Sequence, residues 1–500
     1  MSKDNRSIKA IQSTVGVLLF TIAGMAARYG FLSFATKVFP KSAVGQYSQA
    51  VSIITFLGAT GVLGTQIAQD RFIPIYRTNN ESGKIRSLIK TTFLFVFGVT
   101  LLISIVIYVF AGPVAELFSS ESFGRVLRIF SIAIFGLAML ELTVYAYRGF
   151  ERPLYQAAFR RFGVSVLTFL ISGLLFFFEF GETALFVAYP TSIVLLAFLS
   201  FTLFYTQIYS NLPEKKPIDF HRIFSYSWPY TFSKAATVFL IFSDIIFIGI
   251  FMSDSDVAVY QIAIVLSSLV LLALRSFIPI YKPMCAKMVE TGSEDIVRIY
   301  NLIIRISLVF GGILVLGFVV FGDGILSLFA NPSYSVGHSS LIILGVTNFV
   351  VLLFGPTGPT LQATEYSDVF LKVSLARLIV NAILNVLLIP VFGLIGAAVA
   401  TFSSKFLGEV LIYYRIRAIV GTRIQFKKLW RLGLTLCLTG IIAVFVDQAL
   451  PYTGDIHTLT GVILTGSIYI ILAYFLIFTD EDAKMVSEVL PDRVSEVIFH

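Results

Sequence analysis

Six basic side chains fall inside membrane-length apolar runs of this sequence, where a charge is costly. They are Arg28, Lys234, Arg275, Arg305, Arg377 and Lys405. A cation at the centre of a bilayer costs at least about 2.5 to 3.5 kcal/mol on insertion scales, so such residues usually face a protein interior or a water-filled cavity. Cations gathered in a dry cavity can hold an anion such as a phosphate by charge-assisted hydrogen bonds.

Arg28 and Lys234 each end a polar row on one face of a predicted helix. The first row recurs every seven residues and consists of Thr14, Thr21 and Arg28. The second has the spacing i, i+4, i+7 and consists of Ser227, Thr231 and Lys234. Residues seven apart lie about 20° from each other around a helix. The parallel between the two rows favours one shared cavity.

The other four cations allow a second interpretation. Arg275 lies about one turn before the end of its run, so binding an anion and snorkelling to the headgroups both stay open. Arg305 and Arg377 lie within two turns of helix ends, which favours snorkelling. Lys405 has Glu409 four residues later, and this pair can neutralise itself on one helix.

Three acidic residues within the apolar runs are candidates for ion coupling. Asp70 lies near a helix end, where it could also be solvated or pair with Arg71. Glu141 and Asp244 lie deeper, and each could bind a proton or cation or pair with an intramembrane Arg or Lys. We predict Asp70, Glu141 and Asp244 as possible coupling sites.

Catalytic patterns are weak. Asp254-Ser-Asp256 has the form of a metal-binding Asp-x-Asp, but it occupies a short turn, which favours turn and capping roles. The histidines, His221, His338, His457 and His500, show no metal-ligand spacing. No phosphate-cradling Gly-x-x-x-x-Gly-Lys-Ser/Thr motif occurs. We predict no enzyme activity, no metal and no cofactor.

Composition defines the broad class. Of the 500 residues 57% are hydrophobic and 13% charged, with a mean hydropathy of +0.88, as in a polytopic membrane protein. The first apolar run lacks a signal-peptidase pattern, so we expect a retained helix. The net charge is +8, and most basic residues lie in short loops between the apolar runs, where they orient insertion into the membrane. No nucleic-acid partner is therefore expected. Cys285 and Cys437 are expected to be small buried hydrophobes rather than a disulfide.

Windows of about 20 apolar residues predict fourteen transmembrane helices. They lie near 11–36, 44–69, 88–111, 125–148, 162–178, 185–208, 225–252, 258–281, 299–321, 336–356, 371–391, 394–416, 432–450 and 458–478. Lys and Arg are concentrated on the side of the amino terminus. By the positive-inside rule, both termini are cytoplasmic.

An internal repeat divides the first twelve helices. Phe72-Ile-Pro-Ile-Tyr76 follows the second helix, and Phe277-Ile-Pro-Ile-Tyr281 ends the eighth. We therefore predict an all-α polytopic membrane protein with two six-helix lobes, related by an axis along the membrane normal, and two extra C-terminal helices. The predicted domains are residues 1–210, 211–420 and 421–500.

A hairpin between the eleventh and twelfth predicted helices has almost no loop. Pro390 closes one apolar run, and Gly393 permits a turn that begins the next. Gly396 and neighbouring alanines let another helix approach closely. Such a turn is expected at the membrane surface, because unpaired peptide groups in hydrocarbon are costly.

Three segments together resemble the polysaccharide transporter family, the oligosaccharide flippases of the multidrug/oligosaccharidyl-lipid/polysaccharide exporter superfamily. They are residues 45–54, the Arg148-Gly-Phe-Glu-Arg152 loop and the hairpin at 388–401. The resemblance spans the first twelve helices. It implies two six-helix lobes around a cation-lined cavity, and a role for membrane-embedded arginines at Arg28 and Arg275.

The resemblance also implies a function, which is the flipping of a polyprenyl-(pyro)phosphate-linked glycan across the cytoplasmic membrane by alternating access. Together with the polar rows, it predicts substrate binding by Arg28, Lys234 and Arg275. A cation-coupled multidrug antiporter of the same superfamily and a membrane glycosyltransferase or polymerase are the alternatives. The bilayer and glycan-biosynthesis enzymes are expected partners, and we expect a monomer.

Overall fold

The computed structural model describes residues 3–118, 120, 122–291, 295–363, 367–420, 426–451 and 453–476. Side chains are described for these residues except 3–14, 290–291, 295, 367–368, 419–420 and 426–429. The described residues contain helices and no strand. The prediction of an all-α polytopic membrane protein is confirmed.

Eighteen α-helices follow one another in the described chain. They are α1 Lys3–Val38, α2 Lys41–Gly61, α3 Thr65–Thr78, α4 Ser82–Val109, α5 Ala111–Ala115, α6 Phe123–Gly149, α7 Pro153–Gln156, α8 Val164–Phe177, α9 Thr183–Gln207, α10 Phe220–Phe251, α11 Asp254–Ser267, α12 Leu272–Thr291, α13 Asp295–Phe329, α14 His338–Phe354, α15 Thr357–Gln362, α16 Ser367–Val420, α17 Phe426–Ala449 and α18 Gly454–Leu476. A π-helical segment, Ala157–Gly163, joins α7 to α8.

Twelve helical spans among the described residues are long and apolar enough to cross a membrane, or thirteen if the bent pair α2 and α3 forms one span. One of the twelve, Val369–Ala418, is 50 residues long and contains a break at Gly393. When its halves are counted separately and the bent pair α2 and α3 is counted as one span, the spans correspond in order to the fourteen predicted helices.

The break in α16 is the predicted hairpin. Gly393 has φ 56° and ψ −133°, a conformation that is essentially restricted to glycine. A Cβ atom added at Gly396 would lie 2.3 Å from the carbonyl oxygen of Leu388. Residues eight apart in a straight helix are about 12 Å apart. The chain therefore reverses at Gly393, and the two halves of α16 pack backbone against backbone at Gly396.

Both copies of the sequence repeat follow a break in a helix. The second predicted helix, 44–69, is divided into α2 and α3, which meet at an angle of 45° where Leu63 and Gly64 have positive φ. The eighth, 258–281, is divided into α11 and α12 by a 3-10 turn at Ser268–Leu271. In each copy the Phe-Ile-Pro-Ile-Tyr sequence lies in the helix after the break.

The chain forms two compact units, the first ending at Gln261 and the second beginning at Ile262. In the first unit α6 is central, because it packs against α2, α3, α4 and α9. In the same unit, α10 packs against α2 and α3. The domain boundaries predicted from the repeat, at 210/211 and 420/421, stay a prediction.

Candidate functional site

One carboxylate in the first unit lies between two cations from different helices. The Glu141 carboxylate lies 3.3 Å from Nε of Arg160 and 3.7 Å from Nζ of Lys234. The Glu141 side chain is 15% exposed and that of Lys234 is 37% exposed. We call these three residues the Glu141 cluster. It carries one net positive charge and is open enough for an anion to reach its cations.

Helix α6 fixes the position of Glu141. Leu140 and Leu142 on either side of it are fully buried, so this turn of the helix is held by packing. Glu141 therefore projects from a rigid helix, which holds a charged group more precisely than a loop does. Of the roles predicted for Glu141, the structure places it in contact with an intramembrane lysine.

The π-helical segment holds two arginines that contact different helices. Arg160 reaches Glu141 on α6, whereas Nη1 of Arg161 donates to the hydroxyl of Thr21 on α1 at 2.9 Å. The backbone of α1 also contacts this segment, because a Cβ added at Gly24 would lie 2.6 Å from the carbonyl oxygen of Arg161. π-Helical turns are rare in proteins, and those that occur are often found at functional sites.

Arg160 was missed at the sequence level. The predicted helix near 162–178 leaves Arg160 and Arg161 outside it, but the span begins at Pro153 and contains both. Two adjacent arginines lower the local hydropathy, so a window based on apolar content starts too late. Proline at the first helical position was the available signal, since it is pre-organised for a helix start.

Arg28 lies on α1 with an exposed side chain, in electrostatic range of Tyr47. The Tyr47 ring lies 6.2 Å from the ring of Tyr189, which is in electrostatic range of Arg160. The contact between these two tyrosines therefore links the surroundings of Arg28 to those of Arg160. In the predicted polar row of α1, Thr21 binds Arg161, while the side chain of Thr14 lies outside the described residues.

The three residues of the polar row predicted on α10 have different roles. Ser227 and Thr231 are buried, and a Cβ added at Gly64 would lie 2.2 Å from the Ser227 carbonyl oxygen. These two residues therefore pack against the break between α2 and α3. Lys234 alone in the row extends to Glu141.

A second ion pair continues along the same face of α6. Nη2 of Arg148 lies 2.9 Å from the Asp70 carboxylate on α3. The Arg148 guanidinium also lies 4.7 Å from the centre of the Tyr145 ring, one turn from Glu141. Asp70 therefore pairs with Arg148, while the neighbouring Arg71 lies 4.2 Å from the centre of the Tyr226 ring.

Asp244, the third predicted acid, is buried on α10 and accepts a hydrogen bond from the Tyr260 hydroxyl at 3.1 Å. Arg275 lies on α12, in the second unit, with an exposed side chain. The coupling roles of Asp70, Glu141 and Asp244 and the substrate role of Arg275 stay predictions.

The Asp254-Ser-Asp256 motif has structural partners. The Asp254 carboxylate accepts from the side-chain amides of Gln46 and Gln49 at 2.8 and 2.9 Å. Asp256 accepts from the Ser253 hydroxyl at 2.6 Å at the start of α11. These contacts give both carboxylates turn and packing roles, as the sequence favoured. Among the described residues, no group of three or more His, Cys, Asp or Glu is arranged to hold a metal.

Two archaeal flippases are similar to parts of this chain. The probable low-salt glycan biosynthesis flippase of Haloferax volcanii is 25% identical over 242 residues, covering 47% of this chain and 51% of that protein. The probable flippase AglR of the same organism is 30% identical over 215 residues, covering 42% and 44%. The chain thus spans about half the length of each of these relatives.

Solved structures share the fold. The lipid II flippase MurJ in an inward closed conformation has a TM-score of 0.72 at 15% identity, covering 93% of this chain and 98% of that one. A multidrug resistance MATE family transporter has a TM-score of 0.64 at 13% identity, covering 80% and 99%. The family described as polysaccharide biosynthesis protein matches residues 10–289. The match covers more than half of the sequence, and the chain belongs to this family, within the exporter superfamily that the resemblance indicated.

Proposed function

We propose that this protein flips a polyprenyl-(pyro)phosphate-linked glycan across the cytoplasmic membrane by alternating access, with both termini in the cytoplasm. The observation that carries the proposal is the Glu141 cluster, in which two cations within membrane spans share one carboxylate. A substrate phosphate offers the same kind of anionic oxygen acceptors as that carboxylate. It can therefore take over the ion pair of Lys234 and the hydrogen bond of Arg160.

Glu141 has a defined part in this proposal. Without substrate it pairs with Arg160 and Lys234, so neither cation is left without a counter-ion in a low-dielectric setting. When the phosphate arrives, the carboxylate yields its place, and when the phosphate leaves, the carboxylate returns. This competition keeps binding weak enough for release. Protonation of Glu141 would favour the substrate-bound state in the same way, which is how a coupling proton could act.

Arg28 adds the positive charge that makes the site favour an anion. The Glu141 cluster alone has a net charge of +1. This charge attracts a phosphate only weakly, and it balances still less of the charge of a pyrophosphate. Arg28, which is in electrostatic range of Tyr47, supplies a further cation in the first unit. We assign Arg28 and Lys234 to the phosphate and retain Arg275 as a further candidate.

An antiporter for organic cations is the second candidate, favoured by the fold shared with a MATE transporter. Such a protein needs an intramembrane carboxylate that can accept a cationic substrate. In the first unit Glu141 contacts Arg160 and Lys234, and Asp70 contacts Arg148, while Asp244 is buried and bound by the Tyr260 hydroxyl. Carboxylates already paired with arginine or lysine suit a cationic drug poorly, so we place this candidate second.

Glycan transfer in cells that lack the chromosomal gene tests the proposal. Loss of a charge-assisted hydrogen bond costs about 1.5 to 3 kcal/mol, or roughly 10- to 100-fold. Arg28→Ala and Lys234→Gln should lower transfer by that factor at unchanged membrane expression, whereas Lys234→Arg should keep most of it. Arg125→Gln, which removes an exposed cation at the other end of α6, is the matched control. Normal transfer by Lys234→Gln would contradict the proposal.

A further inference from the structure

A basic pocket lies at the edge of the first unit, where α4 begins and α9 ends. It has a volume of about 690 Å³, and its cations are Arg86, Lys90 and Lys215. An adjoining pocket of about 550 Å³ shares Lys90 and Lys215. Neither pocket is lined by a residue of the Glu141 cluster. We call the first pocket, with its three cations, the Lys90 pocket.

The connection between α9 and α10 is fixed onto the start of α4. The backbone N–H of Lys216 donates to the carbonyl oxygen of Gly83 at 3.1 Å, and the Ser87 hydroxyl donates to the carbonyl oxygen of Lys216 at 2.6 Å. A Cβ added at Gly83 would lie 2.5 Å from the carbonyl oxygen of Glu214. Lys215, between these contacts, is therefore held in place next to α4.

Arg86 is fixed in the same way. Its Nη1 donates to the carbonyl oxygen of Leu212 at 2.7 Å, and its guanidinium lies 5.2 Å from the centre of the Tyr209 ring. The fold thus holds three cations around one opening. Lys90 and Lys215 are close enough that the Lys90 ammonium lowers the pKa of Lys215.

The three cations lack an acidic counterpart. In the described part of the chain, no ion pair includes Arg86, Lys90 or Lys215. The one acidic residue that lines the pocket, Glu214, is exposed and takes part in none of these ion pairs either. Like charges held side by side repel each other, and a bound anion removes that repulsion.

The remaining wall of the pocket is apolar. Leu94 lies one turn beyond Lys90 on α4 and is 60% exposed, while Phe201 and Tyr205 on α9 are 40% and 46% exposed. Phe93 also lines this wall. A cationic opening above an exposed apolar wall matches a molecule with a charged head and a hydrocarbon chain. It does not match a free inorganic anion, which would leave that wall unused.

We propose that the Lys90 pocket binds the phosphate headgroup of an anionic membrane lipid, with its chain lying against Leu94 and Phe201. Basic pockets between transmembrane helices on the cytoplasmic side are suited to such headgroups. This end of α4 is on the predicted cytoplasmic side. The site takes a resident lipid of the bilayer, so it is separate from the transport site proposed above.

The protein contains a natural reporter for this lipid. Phe220 lines the adjoining pocket, and Trp228 lies eight residues later on α10, about 12 Å along the helix axis. Trp228 is 43% exposed, and its ring lies 5.5 Å from that of Phe224, which in turn lies 6.1 Å from that of Phe220. A phospholipid has two chains, and Lys90, Leu94 and Lys215 line both pockets. With one chain against Phe201, the second chain lies on the side of Phe220 and passes near Trp228.

The test uses the full chain carrying Trp430→Phe, which leaves Trp228 as the one tryptophan of the sequence. The protein is reconstituted into vesicles with dibrominated phosphatidylglycerol or dibrominated phosphatidylcholine at equal mole fraction. Bromine on the chains quenches tryptophan at close range. We expect phosphatidylglycerol to quench Trp228 severalfold more strongly at low mole fraction. Equal quenching by the two lipids would overturn the proposal.

Two charge variants separate the pocket from general attraction. Lys90→Gln with Lys215→Gln, both on exposed side chains, should abolish the preference for phosphatidylglycerol. Arg125→Gln with Arg128→Gln removes the same charge from the same unit and should leave the preference intact. A preference that survives the first pair, or that falls equally in both, would contradict the assignment. Inorganic phosphate at constant ionic strength should not compete, and competition would assign the pocket to free phosphate instead.

Discussion

Each unit of this protein contains one carboxylate in electrostatic range of two cations, but the two clusters are surrounded differently. In the first unit, Glu141 lies between Arg160 and Lys234, and all three side chains are partly exposed. In the second, Glu409 is in electrostatic range of Arg377 and Lys405. We call the latter three the Glu409 cluster.

The Glu409 cluster is closed by neutral partners. Glu409 is 8% exposed and accepts a hydrogen bond from the Thr357 hydroxyl. Nζ of Lys405 donates to the side-chain oxygen of Asn348 at 3.0 Å. The stem of Arg377 lies against Gly408, where an added Cβ would be 2.1 Å from Cδ of the arginine. The carboxylate of this cluster is therefore buried and held by a neutral partner as well as cations, whereas the charged partners of Glu141 within the described ranges are the partly exposed Arg160 and Lys234.

The comparison suggests that charge in a membrane span does not by itself indicate a binding site. Exposure and the identity of the remaining partners separate a structural cluster from a functional one. The following substitutions test this distinction, in order of decreasing effect.

Removal of the buried carboxylate should have the largest effect on stability. Glu409→Ala removes a buried carboxylate that is in electrostatic range of Arg377 and Lys405, and removal of one member of a buried charge cluster costs about 3 to 5 kcal/mol of unfolding free energy. The matched change Glu141→Ala should cost less, about 1 to 2 kcal/mol, because Arg160 and Lys234 are 30% and 37% exposed and water can solvate them once the carboxylate is removed. Thermal unfolding in one detergent measures both. Equal losses of stability would remove the distinction between the clusters.

Overpacking the contact between α1 and the π-helical segment that carries Arg160 should have an intermediate effect. Gly24→Ala places a methyl group against the Arg161 carbonyl oxygen and pushes α1 away from the π-helical segment, at a cost of about 1 to 3 kcal/mol. Glycan transfer should fall with it. Gly98→Ala on α4 is the control, because nothing lies within 4 Å of the added atom. Full transfer by Gly24→Ala would show that the π-helical segment does not position the site.

Neutralising the carboxylate of the Glu141 cluster should change function more than stability. Glu141→Gln frees Arg160 and Lys234 for a phosphate, so affinity for a pyrophosphate-bearing lipid should rise about tenfold, equivalent to 1.4 kcal/mol. Turnover should fall, because release slows. Binding and single-turnover transport in vesicles measure the two effects. A lower affinity in this variant would argue that Glu141 contacts the substrate favourably rather than competing with it.

The sequence predicted most of the fold because long apolar helices are a local property. The reversal at Gly393 followed from a proline, a glycine and small residues within one short segment. The bends at Gly64 and at 268–271 are not predicted, because a window of about 20 residues averages over a short break and keeps the run whole. A break in such a run depends on contacts with other helices, such as that between Gly64 and Ser227.

The candidate site was partly predictable for the same reason. Lys234 and Glu141 stood out as charges in apolar runs, but their contact joins α6 to α10 and is set by tertiary packing. Arg160 was assigned to a loop, since its charge hid the helix that carries it. Lys405 and Glu409 were expected to pair along one helix, and the structure adds Thr357 and Asn348 as the partners that complete that cluster.

The most direct test of the central claim compares binding of a polyprenyl pyrophosphate with binding of the corresponding polyprenol to the purified protein. The two ligands differ only in the anionic group. We predict that the wild type prefers the pyrophosphate by about 100-fold, and that Arg28→Gln with Lys234→Gln reduces this preference to below about tenfold. Arg125→Gln with Arg128→Gln should retain it. An unchanged preference in the Arg28 and Lys234 double variant would contradict the assignment of these cations to the substrate phosphate.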